Sequence, residues 1–267
     1  MMRRVRISGI YVYPIKSCGG VSLAQSDVVE RGLAFDRRYM LADRTGRFVT
    51  QREKRRLCQV KLAFAGPDLL VTAPGASPLT LSRAPDSAGL EPALYSVWES
   101  SGRALRDPEG SRWFSELLND DVSLLYMPDS EQRAVNPKRA RPSDIVSFAD
   151  GYPLLLISEE SLRDLNCRLE HGLEMARFRP NLVIAGGTPY QEDTFGEVRF
   201  GTVSCRAVKR CDRCVMTTLD PETGEAGKEP LRTLARYRQE DGRVWFGMNL
   251  VHDGPGAVRI GDEVYLQ

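Results

Sequence analysis

Residues 210 to 224, Arg-Cys-Asp-Arg-Cys-Val-Met-Thr-Thr-Leu-Asp-Pro-Glu-Thr-Gly, set two cysteines among arginines immediately before a turn. A thiolate held by positive charge is a soft metal ligand or a nucleophile, and Cys214 is the candidate for that role. Three basic segments distant in sequence, around Lys16, Arg38 and Arg179, are suited to an anion. Together they suggest an anionic cofactor presented to Cys214. A thioredoxin-like Cys211-x-x-Cys214 pair would open a helix, whereas Val215 to Leu219 is β-branched and reads as strand. A zinc site needs two further ligands at comparable spacing, which neither the other cysteines nor His171 and His252 form as a second pair, so structural zinc stays open as an alternative. An iron–sulfur cluster lacks its third and fourth cysteine at ferredoxin-like intervals. Two inert buried cysteines would require Arg210, Asp212 and Arg213 to be buried with them, which needs partners.

Tyr13-Pro14-Ile15-Lys16-Ser17-Cys18-Gly19-Gly20 reads as a strand ending in a proline-fixed bend that offers an ammonium, a hydroxyl and a flexible glycine pair. Such a bend suits a phosphate, although a plain turn with a surface lysine has the same sequence. In Phe178-Arg179-Pro180-Asn181, the arginine and asparagine would share one face of a strand that Pro180 confines to an edge or a first position. An unpaired surface arginine is the blander reading. Arg38 alone is uninformative.

These groups must be held by a chain of 267 residues, enough for one large domain or two ordinary ones. Lys plus Arg (37) nearly balances Asp plus Glu (36), so there is no global basic field to attract nucleic acid. The clusters at 54–56 and 138–141 read as solvated faces. No apolar run approaches a membrane span, no secretory signal opens the chain, and six scattered cysteines fit reduced thiols. The expectation is a cytoplasmic protein with neither nucleic acid nor membrane as partner.

Alternating apolar residues predict short strands from Val5 to Val12, from Leu69 to Thr72, from Leu79 to Leu81 and from Leu94 to Ser100, with a hairpin turn at Asp43-Arg44-Thr45-Gly46. Helices are predicted at Arg112 to Asn119, from an N-cap at Ser158 with Leu162, Leu165 and Leu169 on one face, and at Leu231 to Tyr237 behind Pro230. Leu154 to Ile157 reads as a buried strand, and Arg243 to Phe246 and Glu263 to Leu266 close the chain as strands. Pro128 to Ser147 has no period and reads as a linker or long functional loop. Many short strands with few helices predict an α+β, mainly β protein built on barrel-like sheets.

Taken jointly, Y-P-I-K-S-C at 13–18, D-R-R-Y at 36–39, F-R-P-N at 178–181 and R-C-x-x-T-T-x-D-P-x-T-G at 213–224 resemble the MOSC proteins, most of all the amidoxime-reducing components and their bacterial relatives. The resemblance implies a MOSC β-barrel core with a smaller N-terminal α/β domain. The N-terminal region would span 1–124, with residues 1–38 packing on the barrel, and the molybdenum-cofactor-binding domain 125–267. It implies a molybdenum cofactor, one pterin dithiolene on the metal, with Cys214 as metal ligand. Lys16, Ser17, Arg38, Asp150, Arg179, Asn181, Cys211, Asp212, Arg213 and Asn249 fall where family members contact that cofactor; Asp212 stands where relatives often have serine, and Asn249 where some have an aromatic residue. The implied reaction reduces small N-hydroxylated compounds (amidoximes, hydroxylamines, N-hydroxylated bases) to the N–H product and water with two electrons and two protons. Bacterial relatives can carry a C-terminal ferredoxin domain; this sequence ends at Gln267 without one, so the electrons are expected from a separate ferredoxin-type or flavin reductase protein. Pyridoxal phosphate binding is a further property associated with the family. The rival reading is a sulfur-carrier or cofactor carrier in which Cys214 bears a persulfide or passes the cofactor on, and a zinc-stapled binding module is a third.

Overall fold

The structure, a computed structural model, describes residues 4–266. It is mainly β, with three α-helices: α1 (Pro108–Leu118), α2 (Glu159–Asn166) and α3 (Leu231–Arg238). The largest sheet runs in space through Val21–Leu23, Arg6–Val12, Leu182–Ala185, Leu154–Ser158, Arg243–His252, Val203–Asp212, Glu197–Phe200 and Val264–Leu266. Its first two strands come from the start of the chain and the rest from beyond residue 150, so Lys16 and its neighbours leave this sheet beside the segment preceding Leu182. Leu154–Ser158 and Leu182–Ala185 are parallel, and α2 lies in the crossover that a parallel pair requires. A second sheet is built from Glu91–Val97, Ser100–Asp107, Ser123–Tyr126, Tyr39–Ala42 and Phe48–Val49. No helix among the described residues is long and apolar enough to cross a membrane.

The first strand departs from simple alternation because its register against Leu182–Ala185 shifts between Ile7 and Gly9. That bulge lets Ile7, Ile10 and Val12 all enter the core with Leu156, Leu182 and Leu250. Burying each such side chain contributes roughly 1.5–3 kcal/mol. α1 begins four residues before the predicted Arg112, since the Asp107 carboxylate accepts from Gly110 N (2.8 Å) and Pro108 fits the first turn. It ends at Asn119 in the left-handed region. Ser158 caps α2 as predicted, accepting from Ser161 N at 3.1 Å, but Leu169 lies beyond the helix end. Pro230 is the cap of α3 instead of its first residue.

Two predicted strands are otherwise. Leu94 to Ser100 contains a turn at Trp98 and Glu99 that returns as Ser100–Asp107. Val215–Thr218 is a 3-10 turn, because the Thr217 and Thr218 hydroxyls donate to the carbonyls of Cys214 (3.0 Å) and Val215 (2.8 Å) three residues back. The 128–147 segment forms no named strand, yet it is pinned: Arg133, buried within it, donates to the carbonyls of Ser147 and Ala149.

Candidate functional site

The Val203–Asp212 strand delivers Cys211 and Asp212 to its end, where Arg213 N donates to Val244 O (2.8 Å) and the chain peels away at Cys214. The 3-10 turn that follows leaves the Cys214 thiol exposed at the rim of a cavity of about 140 Å³. The second half of the motif shapes this rim. Asp220 accepts from the backbone N–H groups of Glu222 and Thr223, both at 2.9 Å, Gly224 supplies φ 75°, and Arg177 ties the turn down through Leu219 O (2.7 Å) and Asp220 (3.1 Å).

The cavity wall brings together Asp150, Arg179, Asn181 and Asn249 with Cys211, Asp212, Arg213 and Cys214. Arg179 and Asn181 do not share a strand face as predicted. Arg179 ends a short 3-10 helix at φ 57°, and the strand starts only at Leu182. Asn181 is committed to the fold: its Oδ1 accepts from Leu155 N and Arg37, and its Nδ2 donates to Tyr11 O. Asn249 Nδ2 donates to Lys209 O (3.1 Å). Cys211 Sγ accepts from Arg213 at 3.0 Å, which separates the two motif cysteines by role: one thiol held in the wall, the other exposed at the rim, 3.6 Å from Arg52 Nη2.

Three predicted contacts are placed differently. Arg38 turns away, donating to Met127 O, the Tyr126 hydroxyl and Asp129. Arg37 takes the cavity position instead. Its φ of 46° breaks the alternation and swings its guanidinium toward Asp36, Asn181 and Arg179 O. Lys16 stands behind the wall, buried, donating to Phe148 O and the Asp150 carboxylate. Burial holds its ammonium below the ordinary lysine range despite that partner. Ser17, beside it in the left-handed region at φ 71°, has a buried hydroxyl that meets no partner among the described residues.

Electrostatics set the character of the site. Tyr13, buried, carries the guanidinium of Arg37 and that of Arg179 each at 4.2 Å from its ring, and donates to Pro180 O. Burial pushes its hydroxyl up to about 12, against the pull of the two arginines. Among the described residues neither Arg179 nor Arg213 pairs with a carboxylate; Arg179 donates to Cys18 O, and Arg213 to Phe178 O and Cys211 Sγ. Its surroundings partly shield Asp150 from water and push it up, but Lys16 and then Arg52 outweigh this and hold it well below the usual carboxylate range, with 53% of the side chain still exposed. Arg52 and Trp98 carried no motif, yet Arg52 Nη2 lies 3.6 Å from Cys214 Sγ and 3.7 Å from Asp150, and Trp98 Nε1 donates to Asp150 at 3.3 Å. The sequence gives no signal for Trp98, since Leu94 to Ser100 reads there as one strand. A second depression of about 170 Å³ adjoins the first, sharing Arg177, Arg179 and Met216, with the buried Gln51 in its wall.

The family description MOSC N-terminal beta barrel domain matches residues 4–121, and MOSC domain matches residues 143–265. The mitochondrial amidoxime reducing component 2 of Rattus norvegicus is 36% identical over 97% of this chain and 82% of its own length. The amidoxime-reducing component 1 of Homo sapiens is 33% identical with the same two coverages. A protein named molybdenum cofactor sulfurase from Solanum lycopersicum is 31% identical over 97% of this chain, which spans 35% of that larger protein.

Proposed function

The chain belongs to the MOSC family, with the amidoxime-reducing components among its relatives, and from that premise we propose that it is a molybdenum-cofactor-dependent reductase of small N-hydroxylated compounds. The observation that carries this reading is the exposed Cys214 thiol beside two arginines, Arg179 and Arg213, that lack carboxylate partners. Partly buried cations without counter-charge are costly, so an anion is the missing component.

The residues fit the cofactor. Cys214 offers a soft sulfur of the kind molybdenum takes with dithiolene sulfurs. Arg179 and Arg213 can neutralise a phosphate through charge-assisted hydrogen bonds of roughly 1.5–3 kcal/mol each, while Arg37, whose charge is paired with Asp36, borders Arg179 across Tyr13. Among the described residues, Ser17 Oγ, Gln51 Oε1 and Arg213 Nε are buried without partners, and a polar heterocycle can engage such atoms. When bound, the metal supplies two-electron removal of oxygen from N–OH. The chain's part is to hold and orient. Cys211 fixes Arg213, Asn181 fixes Arg37, and Asp150, already paired with Lys16, holds Arg52 over Cys214. The electrons come from a separate ferredoxin-type or flavin reductase protein, and the reaction takes place in the cytoplasm.

The test is molybdenum content after expression in a cofactor-competent host, together with benzamidoxime reduction by a chemical or protein donor. Near-stoichiometric metal with amidine formation is expected. Zinc at unit stoichiometry without molybdenum contradicts the proposal, and molybdenum without reduction by any donor turns it to a cofactor carrier.

A further inference from the structure

Trp98 is held at a cost. It sits at φ 54° in a hairpin turn, a region unfavourable to a bulky side chain, and 56% of it is exposed. An unconstrained turn would place a glycine or asparagine here. The turn is nevertheless fixed, by Ser96 N donating to Gly46 O at 2.8 Å and by stacking of Trp98 on Phe48 (ring centroids 5.0 Å). The indole N–H is oriented by Asp150, a residue of the opposite half of the chain. Arg52 completes the cluster, its guanidinium 5.1 Å from the Trp98 ring while the same group lies 3.6 Å from Cys214 Sγ. Its own backbone is set by the turn in which Arg52 N donates to Thr50 Oγ1. One arginine therefore links an exposed aromatic surface to the candidate reactive thiol.

We propose that Trp98 and Arg52 form the substrate-recognition platform at Cys214, selecting planar, uncharged N-hydroxylated aromatics; this rests on the reductase reading above. The open part of the Trp98 ring offers stacking to a flat substrate. The Arg52 guanidinium can donate to the N–O oxygen of a neutral amidoxime. It also repels a cation, and the amidine product is a cation, so the platform favours the substrate over the product. Asp150 acts through both residues as a positioning group. Its charge is already shared among Lys16, Arg52 and the indole N–H and is not free to attract the amidinium.

The experiment compares benzamidoxime with acetamidoxime in the molybdenum-loaded protein, by kcat/KM with a donor and by calorimetric binding without one. Trp98→Ala is expected to lower the aromatic-to-aliphatic preference by roughly three- to tenfold in both readouts, with Trp98→Phe restoring most of it, the size expected of one aromatic contact. Arg52→Gln is expected to tighten benzamidine several-fold relative to benzamidoxime. A preference unchanged in Trp98→Ala, at normal molybdenum content, overturns the platform while leaving the reductase reading standing. Absence of reduction in the parent protein refutes the reductase reading instead, and the binding arm still decides the platform.

Discussion

Asp150→Asn tests the charge architecture behind the cavity. The Lys16 side chain is 8% exposed, and its one carboxylate partner, Asp150, is 53% exposed. Removing one partner of a fully buried ion pair costs about 3–5 kcal/mol, because the other charge is stranded. With Asp150 half in water, the loss is discounted to about 2 kcal/mol near neutral pH, or about 4–8 °C in melting temperature for a chain of this size. The pH dependence follows from the directions of the two shifts. The wild-type Asp150 carboxyl is held low, so its contribution is present above the ordinary carboxylate range and is lost as pH falls through its folded value. The Lys16 ammonium is already held low by burial, and removal of Asp150 lowers it further. The folded variant then binds fewer protons than the unfolded chain at neutral to alkaline pH, and its stability rises with pH there more steeply than that of the parent. The gap between the two proteins is therefore widest near neutrality and narrows on both sides. Urea titrations at pH 4, 7 and 9 measure it, and Lys16→Met combined with Asp150→Asn should recover more than half of the loss. A single variant within about 0.5 kcal/mol of the parent at every pH refutes the reasoning, since that is the range of an inert surface change.

The adjacent arginines separate by role: Arg37→Ala should lower molybdenum occupancy, whereas Arg38→Ala should leave it intact and loosen the 126–129 segment, which hydrogen exchange at Met127 and Asp129 reads out. Arg179→Ala should reduce occupancy with a stability loss of only about 1 kcal/mol, from its contact with Tyr13; full molybdenum in that variant counts against the pocket. Ser158→Ala should cost about 1–2 kcal/mol through the lost cap of α2 without changing metal content, checked by thermal melting.

Strands were legible wherever alternation ran unbroken, and the helix at Glu159–Asn166 was legible because its cap and its first-turn acids are local signals. Several departures are places where a side chain or a positive φ overrides the local pattern. Threonine hydroxyls fold Val215–Thr218 back on itself although β-branched residues there suggest a strand. Eight of the predicted site residues reach one cavity, because they lie on, or in the loops that border, neighbouring strands of one sheet: Asp150 before Leu154–Ser158, Arg179 and Asn181 before Leu182–Ala185, Asn249 within Arg243–His252, and Cys211 to Cys214 at and just after the end of Val203–Asp212. Whether Arg37 or Arg38 faces the cavity is decided by one backbone dihedral that has no sequence signature. Lys16 stands behind the cavity wall, where Asp150 is its ion-pair partner, a burial that its turn-like sequence does not signal. Arg52 and Trp98 were missed because they belong to turns whose proximity to Cys214 exists only after the two halves of the chain pack.

The most direct test of the central claim is the sulfur coordination of molybdenum by X-ray absorption at the metal edge, in the parent, Cys214→Ser and Cys211→Ser proteins. Cys211→Ser should match the parent, because the Cys211 thiol is bound to Arg213, while Cys214→Ser should lose one sulfur neighbour or fail to retain the metal. Equal sulfur counts in the parent and Cys214→Ser, at equal molybdenum content, would contradict that claim.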